Sequence, residues 1–336
     1  EFAQRRRVLA ELTPLVRTLA EHARAAGIAI TIDSEESERL EISLEIIASV
    51  LRSPVTDSWP GFGFAVQAYQ KRALEVLRFL DATARSAGRT LNVRLVKGAY
   101  WDSEIKRAQE HGLVGYPVFT RKCNTDVSYL ACAHFMLEAG TALYPQFATH
   151  NAHTVAAVLT RARALNRSFE FQRLHGMGEE LYAEVFGLEQ LDAPCRVYAP
   201  IGAHEDLLPY LVRRLLENGA NSSFVNRIVD ERLPAAEVAA DPIDEVTALA
   251  AIPHPRIPLP RNLFGAARVN SRGVNFADGD ELDALTRAMN EVLERDRSAV
   301  PIVKGERRRG IASPVTNPAN LNDIVGVVEN ADATLA

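Results

Sequence analysis

The chain has 336 residues, 47% of them hydrophobic and 24% charged, which excludes a disordered or low-complexity protein and is long enough for one large domain plus more. The net charge of −5 is spread with both signs interspersed, and the run "QRRR" at 4–7 is too short to form a basic footprint for nucleic acid or anionic lipid. No apolar stretch approaches the roughly 20 residues of a membrane span, and the start "EFAQRRR" lacks an apolar signal core, so the expected location is cytoplasmic, at most peripheral at the inner membrane face. Cys123, Cys132 and Cys195 fit neither a zinc spacing nor a paired disulfide framework and read as reduced thiols.

The pattern predicts an opening helix over 3–26, then strands at 28–33, 62–69, 91–97, 144–150, 169–175 and 195–200. Helical segments are expected between them near 37–52, 70–87, 102–110, 124–139, 152–165 and 177–187, and a last one at 205–218. Alternation at this spacing means crossover connections and a parallel sheet, either a closed barrel or an open doubly wound sheet. Parity favours the barrel. Strands covered on both faces read as continuous apolar runs, whereas here Gln67, Arg94, Gln146, His150, Gln172, Arg196 and Tyr198 alternate with apolar neighbours. A small or polar row in every strand, thickening toward the carboxyl ends, is what a (β/α)₈ TIM-type barrel with a site at its mouth requires. Only six strands are readable, so the expectation is a barrel lacking its first two strands.

A composition break follows. Pro253, Pro255, Pro258 and Pro260 predict a stiff linker within 231–260, and 261–336, with a helix near 279–295 and a β-like stretch at 323–329, reads as the start of a second α/β domain.

Several stretches could carry chemistry. Asp33 ends the first strand with inward parity and can accept from an amine, act as a base or bind metal; Glu35 and Glu36 also suit a helix start, where the dipole favours acids. In "RLVKGAYWDSE", Arg94 points inward, Gly98 allows close approach of backbone to a flat ligand and Tyr100 can stack or hydrogen-bond; a buried Arg paired with an acid is the alternative. "FATHNAHT" offers His150 and His153, which with Asp33 would define a rival reading, a metal-dependent barrel hydrolase or isomerase. "LHGMGEE" places glycines before a helix start, a weak phosphate signal. "YLVRRLLENGA" puts Tyr210, Arg213, Arg214 and Glu217 on one helix face, either a grip for a small anion or a solvated face with an Arg213 to Glu217 ion pair.

Taken together, "IDSEESERLEISL", "GFAVQAYQKR", "RLVKGAYWDSEIKRAQ", "QFATHNAHT", "LHGMGEELY", "RVYAPIGAHEDLL" and "YLVRRLLENGANSSFVNRI" closely resemble the proline dehydrogenase domain of the bifunctional bacterial proline utilization A flavoenzymes. The likeness assigns 1–230 to that barrel and 261–336 to the beginning of an NAD-dependent aldehyde dehydrogenase acting on L-glutamate γ-semialdehyde. It implies noncovalent FAD, oxidation of L-proline to Δ1-pyrroline-5-carboxylate by hydride transfer to flavin N5, and electron delivery to a membrane quinone. By similarity, Gln67, Arg94, Val96, Gly98 and Ala99 would contact the isoalloxazine. Thr149, His150 and Asn151 would bind the ribityl and phosphate region, and Thr120, Lys122 and Phe224 the pyrophosphate and adenosine. Asp33, Tyr100, Leu174, Tyr198 and Tyr210 would wall the proline ring, with Arg213 and Arg214 clamping its carboxylate and Glu217 orienting them. The family adds a clamp lysine from a strand this sequence does not contain, so activity is expected of the parent protein.

Overall fold

The computed structural model describes residues 4–189, 193–219, 234, 239–295 and 297–335, with side chains described for all of these except 188, 189, 206 and 213–219. Two compact units divide the chain, Glu1–Ala277 and Asp278–Ala336. In the first, α1 (Arg5–Ala25) precedes β1 (Ile30–Ile32), β2 (Phe62–Gln67), β3 (Leu91–Val96), β4 (Leu143–Ala148), β5 (Glu170–Leu174) and β6 (Cys195–Tyr198). Between these strands run α2 (Leu40–Leu51), α3 (Ala73–Ala87), α4 (Trp101–Glu110), α5 (Lys122–Glu138), α6 (Ala152–Ala164) and α7 (Glu179–Glu189), and α8 (His204–Gly219) follows β6. A short α9 (Pro242–Thr247) comes later.

All six strands pair in parallel and in chain order, β1 to β6. Sequential order is barrel winding; a doubly wound sheet would reverse direction at a switch point. The two rows of each strand separate as parity predicts. Phe62, Phe64, Leu91, Val93, Leu95, Phe147 and Phe171 are fully buried in the core against the helices, each such side chain contributing roughly 1.5–3 kcal/mol. The other row runs across the strands through Thr31, Gly63 and Asn92, through Ala65, Arg94, Gln146 and Glu170, and through Ala148, Gln172 and Arg196. Side chains of this row meet across intervening strands. Arg94 on β3 reaches both Asp33, just past β1, and Gln172 on β5. In a flat sheet those strands would stand about 9–10 Å apart, so this face is concave.

Where an element departs from expectation, a tertiary contact explains it. Helix α3 begins at Ala73 rather than 70 because Gln70 bridges to Val118 and Lys71 N–H bonds Pro117 O, which keeps the chain extended beyond β2. Residues of the predicted linker are tied to α5 and to the segment between α4 and α5. Tyr116 Oη donates to Pro258 O at 2.6 Å, Asn124 Nδ2 to Ile252 O at 3.2 Å, and Ile257 packs on the cluster of Tyr69, Ile105 and Val118.

The second unit, by itself, has α10 (Gly279–Glu294), β7 (Ser298–Ala299), β8 (Ile302–Val303), β9 (Glu306–Arg307), β10 (Ile311–Asn317) and β11 (Asn320–Asn330). Asp278 caps α10 by accepting from Asp280 N and Glu281 N. Strands β10 and β11 form an antiparallel hairpin with β7 parallel along β11.

Candidate active site

Arg94 occupies the middle of the concave face. Its Nη1 donates to Asp33 Oδ1 at 2.5 Å and its Nε to Gln172 Oε1 at 2.8 Å, while Tyr198 of β6 lies with its ring centroid 6.0 Å from the guanidinium carbon. Both readings of Arg94 therefore hold at once: it faces inward, and it is paired with an acid. Beside it, Gln172 Nε2 donates to Glu170 Oε1 at 2.7 Å, and Arg196 grips both oxygens of Glu170 through Nε and Nη2, each at 3.0 Å. That contact raises the Arg196 pKa above its ordinary value, through the hydrogen bond and the charge of Glu170. The row alternates in sign, Asp33, Arg94, Glu170, Arg196, so its interior charges are compensated. Gln146, between Arg94 and Glu170, is 4% exposed, and its Oε1 finds no partner among the described residues.

The segment after β1 is tied to α4 at two points and to Tyr100, just before that helix, at a third. Tyr100 Oη donates to Glu35 Oε2 at 2.5 Å, Ser37 N and Oγ both donate to the buried Glu104 carboxylate at 2.6 Å, and Arg107 pairs with Glu38 at 2.5 Å. The acids after Asp33 are thus clamps on another helix as well as residues at a helix start. Gln67 donates to Ser34 O at 3.0 Å and accepts from Gln70 Nε2 at 2.7 Å. Val96 and Gly98 are half-buried and Ala99 exposed. Gly98 has φ +128°, and a Cβ on it would meet the Tyr69 ring at 2.5 Å, so this turn admits only glycine. Burial pushes the Tyr69 phenol far above its ordinary range, with Glu104 adding to the effect.

At the carboxyl end of β3, Lys97 and the first residue of α5, Lys122, both bond Asp126, the latter at 2.6 Å. Burial opposes ionisation of Asp126, but the two ammonium groups outweigh it and hold the carboxyl below its usual range. Thr120 Oγ1 accepts from His254 N at 2.9 Å. Past β4, Thr149 is buried and its carbonyl accepts from Tyr182 Oη, Asn151 caps α6 by accepting from Thr154 N at 2.9 Å, and His150 Nε2 accepts from Leu174 N at 3.1 Å. A Cβ on Gly178, φ +69°, would come within 2.9 Å of His150 Cδ2. The glycines of "LHGMGEE" thus turn the chain tightly over the histidine.

Half-buried Leu174 ends β5, and Tyr198 and Tyr210 of α8 stand 6.0 Å apart between ring centroids. Arg213, Arg214 and Glu217 lie on α8, but their side chains fall outside the described residues, as does Phe224 entirely. The rival metal reading meets two obstacles. His150 spends its Nε2 lone pair on Leu174 and Asp33 is paired with Arg94; among the described residues no group of three His, Cys, Asp or Glu side chains could hold an ion.

The strand alternation that set Gln172 on the polar row also puts Glu170 and Tyr69 there without a role, and nothing local pointed to Asp126 or Glu104. Glu170 and Gln172 carried a signal in their shared parity with Arg94. Asp126 and Glu104 sit on helices, where only packing reveals what they touch.

A guanidinium fixed by Asp33 and Gln172 on the concave wall of a sequentially wound parallel sheet, with the Tyr198 ring beside it, marks a barrel-type candidate site. Comparison narrows this. A family model described as proline dehydrogenase matches residues 3–227, and the chain belongs to that family. It is 51% identical over 340 residues to the bifunctional protein PutA of Escherichia coli (strain K12), covering 98% of this chain and 26% of that protein. With the bifunctional protein PutA of Rhizobium meliloti the identity is 48% over 331 residues, covering 97% and 27%. Among solved structures, proline utilization A from Bdellovibrio bacteriovorus matches with a TM-score of 0.86 at 28% identity, over 98% of this chain and 34% of that one. A bifunctional proline utilization A structure matches with a TM-score of 0.83 at 53% identity, over 88% and 30%. The fold is that of the proline dehydrogenase barrel domain, of which the sheet here forms a curled half-barrel. The chain spans 26% of the length of the Escherichia coli relative.

Proposed function

We propose that this chain carries the flavin face and part of the substrate wall of an FAD-dependent proline dehydrogenase, which oxidises L-proline to Δ1-pyrroline-5-carboxylate. The single observation that carries the reading is Arg94, held by Asp33 and Gln172 at the centre of the concave face in a chain matched to the proline dehydrogenase family over residues 3–227. When bound, FAD supplies the acceptor for the two electrons and the hydrogen leaving proline. The residues fit that group: a fixed cation suits the electron-rich reduced flavin, and the buried Gln146 Oε1 offers an acceptor without a protein partner among the described residues. Val96, Ala99 and Gln67 complete that wall, and Thr120, Lys122, Thr149, His150, Asn151 and Phe224 would hold the ribityl and phosphate end.

Arg213 and Arg214 would anchor the substrate carboxylate, with Glu217 orienting them, and Asp33, Tyr100, Leu174, Tyr198 and Tyr210 would enclose the ring. The inhibitor named for the Bdellovibrio bacteriovorus protein, N-propargylglycine, is a secondary-amine amino acid like proline, which supports a site selective for that class. In a longer protein, residues 261–336 would open an NAD-dependent L-glutamate γ-semialdehyde dehydrogenase domain after the 231–260 linker, and a membrane quinone would accept the electrons. No helix among the described residues is long and apolar enough to cross a membrane.

The test is the substitution Arg213→Met or Arg214→Met in the flavin-loaded protein. Losing one charged anchor raises KM for proline by about tenfold or more; a KM equal to that of the wild type would reject the anchor.

A further inference from the structure

The proposed function uses Arg94 but not the residues behind it, and these form a chain of forced polarity. Glu170 is 3% exposed on the inward row of β5. As a carboxylate gripped on both oxygens by Arg196 it only accepts, so the amide end of Gln172 that faces it at 2.7 Å must be the NH2. The carbonyl end of Gln172 then points the other way, to Arg94 Nε at 2.8 Å, a group that only donates. Gln172 is itself 5% exposed and has no freedom to serve Arg94 from elsewhere. With Asp33 on Nη1, the guanidinium is held at two edges and its plane is fixed.

We infer that Gln172 and Glu170 are positioning residues that lock the orientation of Arg94, with Arg196 holding Glu170 in place, and so tune how strongly this site favours reduced flavin. The inference rests on the proposed flavin site and deepens it. Without the Glu170 acceptor, the Gln172 amide is free to turn its NH2 toward Arg94, donor against donor. The Arg94 charge then keeps its place on β3 but loses its fixed direction. A carboxylate clamp elsewhere would leave substrate affinity untouched, which separates this effect from a general loosening of the site.

The test compares Gln172→Met, which is near-isosteric, Glu170→Leu and Glu170→Gln in the flavin-loaded protein, reading the flavin reduction potential together with kcat and KM. Loss of one hydrogen bond to a charged group predicts that Gln172→Met lowers kcat about fivefold with KM changed less than about twofold. The potential moves more negative, because the reduced state loses cationic support. Glu170→Leu follows the same pattern, and Glu170→Gln, which keeps an acceptor for Gln172 but turns an NH2 against Arg196 Nη2, shows a smaller loss in the same direction. In an Arg94→Met background, Gln172→Met adds nothing to potential or kcat. Should Glu170→Leu fail to fold, Gln172→Met alone decides. Wild-type protein that takes up no flavin would defeat the proposed function itself. Flavin-loaded, proline-reducible wild type with a Gln172→Met variant unchanged in potential and kcat, or a loss undiminished in the Arg94→Met background, would overturn this inference alone.

Discussion

Gly98 lies over the ring of Tyr69 so closely that a Cβ on the glycine would come within 2.5 Å of Tyr69 Cδ1. The backbone there has φ +128°, a conformation essentially confined to glycine. Gly98→Ala combines backbone strain with a clash against a ring that cannot withdraw, since Tyr69 is 2% exposed. The expected loss is about 3 kcal/mol of unfolding free energy, measured by urea denaturation. An unchanged midpoint would show that the turn relaxes freely.

Asp126 gives a pH-dependent prediction. Its carboxyl is held below the ordinary value of 3.8 despite burial, because Lys97 and Lys122 flank it. A depressed folded-state pKa stabilises the protein above the unfolded value and ceases to do so as pH falls through the folded one. Asp126→Asn therefore costs about 2 kcal/mol at neutral pH, and the gap between variant and wild type closes as the pH drops below 3.8. Denaturation curves at neutral and strongly acidic pH check this; a gap constant with pH would show that the carboxylate charge does not matter.

Glu104 links α4 to the loop that carries Asp33. Replacing it with Leu leaves the buried Ser37 N–H without its acceptor, at a cost of about 2–3 kcal/mol. Glu104→Gln keeps one acceptor oxygen and loses less. Thermal unfolding of the two variants ranks them, and equal losses would argue that the hydrogen bonds contribute nothing.

The three thiols should differ in reactivity. Cys132 is fully buried and its pKa is pushed up to about 11 by burial, Cys123 is 4% exposed, and Cys195 is half-buried with a raised pKa, again chiefly through burial. A thiol reagent at mildly alkaline pH modifies Cys195 first, and Cys132 only on unfolding. Mass spectrometry of the labelled peptides reads the order, and early labelling of Cys132 would contradict it.

The sheet was legible because each strand carries two chemically distinct rows. Phe62 and Phe64 alternate with Gly63 and Ala65, and Leu91, Val93 and Leu95 with Asn92 and Arg94; the observed register lines these rows up across the strands. The boundaries were less legible. A bridge from Gln70 to Val118 decides where α3 starts, and no local pattern encodes it. The same holds for the partners of the site residues. Asp33 and Arg94 are 61 positions apart, and Tyr100 and Glu35 are 65, so parity could aim Asp33 and Arg94 inward, and nothing local could say what any of the four would meet. Lys122 was named only by resemblance, as a contact of the pyrophosphate and adenosine, and only the fold brings it, with Lys97, onto Asp126.

The concave face around Arg94 is proposed to bind flavin beside proline. Anaerobic addition of L-proline to the flavin-loaded protein carrying this chain tests it most directly. Bleaching of the visible flavin absorption, at proline concentrations that rise about tenfold when Arg214 is replaced by Met, is the expected result. Flavin that stays oxidised in the presence of saturating proline would contradict it.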